Sequence, residues 1–162
     1  MDCARFYAVK AVCEDDVYRS VKTSLWTSTD KGNEELDMAY REHSDTGPIY
    51  LAVAVVSSGY FLGVCELVSK FTIGQKLEGW VGRPDPSGYF LIKWRYLKDI
   101  PNAVLRSIGR RKRTKPITRY RNAEELPAFQ GRALLQLFRK YQSATSLLDD
   151  FQFYTERLSA QP

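Results

Sequence analysis

Ile49 to Val56 is an unbroken apolar run, and it constrains the fold more than any other stretch of the chain. So short a run, bounded by turn residues, reads as a buried strand rather than a helix. Gly47-Pro48 supplies the turn before it. Ser57-Ser58-Gly59 is a hairpin signal after it, and Tyr60 to Val68 reads as the returning strand. A buried hairpin needs further layers to cover it, so the rest of the chain has to supply strands beside it and helices outside.

It does so in order. Ala4 to Val12, rich in aromatic and branched residues, predicts a strand. Glu14-Asp15-Asp16 places acids where a helix macrodipole favours them, and Val17, Val21 and Leu25 follow as one apolar stripe, predicting a helix that ends near Trp26. A second helix is expected from Asn33 to about Glu42, with Leu36 and Tyr40 inward. Gly74 to Gly88, with its glycines, prolines and Trp80, predicts a long loop. Tyr89 to Leu97 predicts a strand in which Trp94 belongs to the core, and Asp99-Ile-Pro-Asn102 a turn or short helix. Pro127 suits a first helical position, with Leu134, Leu137, Phe138 and Tyr141 giving helical periodicity; Ser146 to about Leu158 is expected to form a last helix. The expectation is one domain over residues 1–162, of α/β class, whose strands close around a shared core with helices packed outside.

Charge is concentrated. Arg106, Arg110, Arg111, Lys112, Arg113, Lys115, Arg119 and Arg121 fall in one acid-free segment, although the whole chain carries a net charge of only +5. Without that segment the chain is net acidic, so the basic character points to a local polyanion contact. Arg110-Arg-Lys-Arg113 also has the composition of a nuclear-import signal, or of a solvated loop. No apolar run approaches the ~18 residues of a membrane span, and the first residues lack the pattern of a secretory signal. Cys3, Cys13 and Cys65 form no paired motif, and His43 is the only histidine, so no metal, disulfide framework or cofactor is expected.

Catalysis is poorly provided for. One histidine leaves no evident Ser-His-Asp set, and no phosphate-cradling glycine loop is present. Binding is better provided for. Trp26 lies where a helix meets a polar loop, and Trp80 sits among Gly79, Gly82 and Pro84, an unusual place for a core residue. Two such faces beside an arginine-rich segment suggest a sandwich for one base and a hold on a phosphate backbone, each stacked base contributing about 1–3 kcal/mol.

The residues that carry these features resemble a known family. Glu14-Asp-Asp-Val-Tyr-Arg-Ser-Val-Lys22, Leu25-Trp-Thr-Ser-Thr29, Gly32-Asn33, Leu36-Asp37 and Ala39-Tyr40 are similar to the opening of the YTH domain. Gly47-Pro-Ile-Tyr-Leu51, Ser58-Gly-Tyr-Phe61, Lys98-Asp-Ile-Pro-Asn102, Lys115-Pro-Ile-Thr118 and Thr145-Ser-Leu-Leu-Asp-Asp-Phe151 continue the likeness in order. The resemblance implies a monomeric, non-catalytic reader of N6-methyladenosine in single-stranded RNA, and the Ser-Thr-x-x-Gly-Asn motif resembles the cytoplasmic branch, which acts on mRNA stability. Nuclear residence is the alternative. The fold that the resemblance implies is a curved, largely closed, barrel-like mixed sheet surrounded by helices. By position, the resemblance makes Trp26 and Trp80 two walls of an aromatic cage. It sets Asp16 at the ring-nitrogen edge of the adenine and the Thr27 carbonyl at the methylated amine. It runs Lys10-Ala11-Val12 past base and sugar, and puts Arg121 on a phosphate.

The chain departs from the family at three places. Where many members have a third tryptophan, it reads Arg83-Pro-Asp-Pro-Ser87, with Pro86 the nearest equivalent and Tyr89 a more remote one. Val12 and Val56 stand where polar side chains are common, which removes contacts to the nucleotide. Arg110, Arg111, Lys112, Arg113 and Lys115 are further expected RNA contacts. A methyl group adds no charge, so its recognition rests on apolar burial, about 0.8 kcal/mol per methyl-sized unit. Discrimination by one such unit is roughly 10–200-fold. The competing expectation is a generic single-strand RNA binder without methyl selectivity.

Overall fold

A computed structural model describes residues 3–74, 80–82, 86–142 and 146. Seven strands and four helices follow one another as β1 (Arg5–Ala11), α1 (Glu14–Thr23), β2 (Leu25–Trp26), α2 (Asp30–His43), β3 (Ile49–Val55), β4 (Tyr60–Leu67), β5 (Thr72–Ile73), β6 (Gly88–Pro101), α3 (Asn102–Leu105), β7 (Glu124–Leu126) and α4 (Ala128–Lys140). The expected hairpin is the middle of one mixed sheet, in the order β2-β6-β4-β3-β1-β7, with β5 paired to β6. β1 and β3 run parallel, from Arg5 opposite Ile49 to Ala11 opposite Val55. The crossover between them carries α1, β2 and α2. Ser57 and Gly59 take positive φ (61° and 87°) to turn β3 into β4.

The apolar run of β3 is buried because both sheet faces are covered. Alternation sends Tyr7, Val9, Ala11, Leu51 and Val53 into one cluster with Val17, Tyr18 and Leu36 of α1 and α2. Phe6, Ala8, Ala52 and Ala54 face the other way, toward Leu134, Leu135 and Phe138 of α4. α4 sits close because Gly131 has no Cβ, which would run into the Phe6 ring.

Several sequence expectations change. The sheet is not largely closed: among the described residues β2 pairs only with β6 and β7 only with β1, and these edge strands have two and three residues. α1 stops at Thr23 rather than near Trp26, because Ser24 adopts the left-handed conformation (φ 59°) and returns its N–H to Ser20. Leu25 and Trp26 then form a strand opposite Leu91 and Phe90. α2 begins at Asp30 instead of Asn33, since the Thr29 side chain accepts from Gly32 N and caps the helix. β6 runs on to Pro101, with Trp94 only partly buried against the first cluster. Pro127 is the N-cap of α4 rather than its first helical residue. The last helix expected from Ser146 lies outside the described residues, apart from Ser146 itself, whose hydroxyl donates to Leu97 O.

Candidate nucleic-acid interface

The turn at Ser24 decides where Trp26 goes. Because β2 pairs with β6, the Trp26 ring enters the first hydrophobic cluster, 1% exposed, and does not stand at a helix end. Trp80 reaches the same cluster and is 3% exposed; of the loop expected from Gly74 to Gly88, residues 75–79 and 83–85 lie outside the described residues. The two rings touch edge to face, with centroids 5.5 Å apart and planes at 85°. That is a favoured contact between indoles, positive edge toward negative face. It is not the parallel sandwich expected from the sequence, so stacking a purine between both faces requires the rings to part.

A small cavity opens beside this pair, about 60 Å³ in volume. Seven of the expected site residues line it: Lys10, Ala11 and Val12 from the end of β1, Asp16 from the first turn of α1, Trp26 and Thr27 from β2 and its loop, and Trp80. The volume is well below the roughly 300–1,000 Å³ of sites that enclose a drug-sized ligand. Val12 is 64% exposed and stands at its rim.

Asp16 is 1% exposed, and its carboxylate accepts two backbone amides of the opposite wall. Val81 N lies 2.6 Å from Oδ1 and Gly82 N 2.7 Å from Oδ2. Burial raises the Asp16 carboxyl above its ordinary value, and the Gly82 and Val81 amides pull against that rise. Lys10 is pushed the other way by burial, below the usual lysine range, and its ammonium lies 4.7 Å from the Phe61 ring centroid.

Ser28, Thr29, Gly82 and Asn122 also line the cavity, although the sequence did not mark them as site residues. Asn122 accepts from Lys10 N at 2.9 Å and donates to Ser28 Oγ at 2.7 Å, joining the end of β1 to the loop after β2. Asn33 ties the same loop to α2: its side chain accepts from Ser28 N and donates to Ser28 O and Thr27 Oγ1. The Thr29-x-x-Gly32 cap was a readable signal for this loop; Asn122 has none, because its partners are remote in sequence.

A larger groove of about 760 Å³ adjoins the cavity, sharing Thr29 and Asn122 with it. Arg121 lines the groove, as do Lys31 and Lys115. Lys115 is engaged, 2.6 Å from Glu124 Oε2 and 4.4 Å from the Tyr120 ring centroid. Arg121 N donates to the other oxygen of Glu124. The remaining expected residues line neither space. Pro86 is buried elsewhere, and Val56, its N–H bonded to Ala11 O, is exposed. Arg110, Arg111, Lys112 and Arg113 are exposed, with the Arg111 guanidinium 3.9 Å from the Phe129 ring centroid at the start of α4.

Comparison with known proteins gives this arrangement a family. The family model described as the YT521-B-like domain, YTH, matches residues 4–139. The chain belongs to the YTH domain family. It is 39% identical over 158 residues to the YTH domain-containing protein ECT3 of Arabidopsis thaliana, covering 95% of the chain and 32% of that protein. It is 38% identical over 154 residues to the YTH domain-containing family protein 1 of Mus musculus, covering 94% of the chain and 27% of that protein. The chain thus spans about a third or less of these relatives. The Pho92 YTH domain, solved in complex with m6A, superposes with a TM-score of 0.82 at 30% identity, covering 91% of each chain. The YTH domain of Zygosaccharomyces rouxii MRB1, solved with N6-methyladenosine RNA, superposes with a TM-score of 0.78 at 30% identity, covering 89% of this chain and 92% of that one.

Proposed function

We propose that this YTH domain binds N6-methyladenosine in single-stranded RNA without catalysis, through an aromatic cage whose walls are Trp26 and Trp80. The observation that carries the reading is the convergence of both indoles, Asp16, Thr27 and the end of β1 on one cavity, in a fold also seen in solved complexes with methylated RNA. Stacking on the indoles supplies binding that any base can use. The methyl group adds its preference by apolar burial against them. The Thr27 carbonyl accepts from the methylated amine, Lys10-Ala11-Val12 follows the sugar, and Arg121 in the adjoining groove takes a flanking phosphate. The domain acts as a monomer in the cytoplasm, on mRNA stability.

A generic single-strand binder is favoured by one observation: Val12 and Val56 are exposed apolar residues that offer the nucleotide no side-chain hydrogen bond. Calorimetric titration with two oligonucleotides that differ only in the methyl group separates the readings. The cage predicts tighter binding of the methylated strand by roughly 10–200-fold. Equal affinity for the two strands leaves only the generic binder.

A further inference from the structure

Two consecutive amides of the Trp80 segment end on one carboxylate. The Asp16 side chain is almost completely buried, and both its oxygens hold short bonds, from Val81 N at 2.6 Å and Gly82 N at 2.7 Å. Hydrogen bonds to a charged acceptor are about twice as strong as neutral ones. Gly82 is fitted to this contact: a Cβ there would lie 2.8 Å from Asp16 Oδ2 and 3.0 Å from Val12 Cβ and Cγ2. Trp80 immediately precedes the bonded pair, so the carboxylate fixes the backbone from which the indole projects.

The chemistry of the base argues the same way. An ionised carboxylate offers only acceptors. The ring nitrogen beside the amine of an adenine is also an acceptor. The two do not make a hydrogen bond without a proton between them, whereas the two loop amides satisfy the carboxylate as it stands.

We propose that Asp16 is a positioning residue that latches the Trp80-bearing segment against α1, so that methyl selectivity depends on Asp16 through the placement of Trp80. The proposal rests on the cage reading above. The latch itself is a property of the protein without RNA.

The experiment measures amide hydrogen exchange in the RNA-free chain, together with titration by the paired methylated and plain oligonucleotides. Asp16→Ala removes both acceptors, and Asp16→Asn keeps one carbonyl oxygen. Gly82→Ala drives the segment away while leaving the carboxylate intact. Asp16→Ala is expected to speed exchange at Val81 and Gly82 by about ten-fold or more, the loss of at least one charge-assisted bond. Amides of β1 and β3 should not change. Asp16→Asn should fall between wild type and Asp16→Ala, and Gly82→Ala should resemble Asp16→Ala. Methyl preference should decline in the same order as protection. If Asp16→Ala does not fold, Asp16→Asn and Gly82→Ala decide by the same readouts. Unchanged exchange at Val81 and Gly82 in a folded Asp16 variant overturns the latch, even if methyl preference is lost. Freed amides with full methyl preference overturn the link to selectivity. A wild-type chain with no methyl preference sinks the cage reading and with it that link, while the exchange rates still decide the latch.

Discussion

The Asn122 side-chain amide donates to Ser28 Oγ at 2.7 Å, across 94 residues of sequence. The same side chain accepts from Lys10 N, so one residue holds both the strand end and the loop that border the cavity. Asn122→Ala leaves the Lys10 amide without its acceptor in a part-buried place, a cost of about 1–3 kcal/mol. The expected result is a lower Tm together with weaker binding of methylated and plain RNA, since the cavity rim loosens. Thermal unfolding and paired titration measure the two effects; a Tm equal to that of the wild type contradicts the tie.

Trp26 and Trp80 are core residues as well as proposed cage walls. Trp26→Ala should therefore abolish methyl preference and also destabilise the fold by about 3–5 kcal/mol, the usual cost of emptying a buried aromatic site. Trp80→Ala should weaken methyl preference severely. Denaturant unfolding gives the stability and calorimetry the preference. An unchanged methyl preference in folded Trp26→Ala removes Trp26 from the cage.

The contrast between legible and illegible parts follows from interaction range. β1, β3, β4 and α4 were readable because burial imposes alternation, an unbroken apolar run or helical spacing on neighbouring residues. β2 and β7, with two and three residues, are too short to carry a period, and pairing with β6 and β1 defines them. Without β2, Trp26 read as a residue at a helix end, where a pocket wall and a core position were equally open. In the site, the tryptophans announced themselves by residue type. The bonds of Asp16 to Val81 and Gly82, 65 and 66 residues away, had no local trace, and three acids opening a helix read equally well as dipole partners. The basic segment was obvious, yet folding divides it. Arg121 and Lys115 reach the groove, whereas Arg110 to Arg113 stay exposed near α4.

Acid should weaken the groove wall in a particular window. The hydrogen bond from Arg121 N, and then the pairing with Lys115, hold the Glu124 carboxyl below its ordinary value. A depressed carboxyl contributes stability above the unfolded-state value of about 4.3 and loses it as the pH falls through the lower folded-state value. The Tm difference between wild type and Glu124→Gln should thus be largest near neutrality and shrink below about pH 4.3. Melting curves from pH 7 to pH 3 test this, and a gap that widens in acid has the wrong sign for the assigned partners.

Glu124 also governs how much positive charge the groove presents. Lys115 lies 2.6 Å from Glu124 Oε2, so its charge is largely answered within the protein. Arg121 has no ion pair with a described residue; only its backbone is bonded to Glu124. Arg121→Ala should therefore weaken methylated and plain RNA alike and make the salt dependence of log K shallower by about one. Glu124→Gln keeps an oxygen to accept from Arg121 N, removes the carboxylate charge and releases Lys115. Both RNAs should then bind more tightly, with a salt dependence steeper by about one, and the methyl preference should stay at its wild-type ratio. Titrations of the two oligonucleotides at several salt concentrations read all of these quantities. If Glu124→Gln changes the ratio between the two RNAs and leaves the salt dependence alone, the groove acts on the base rather than on the backbone phosphates.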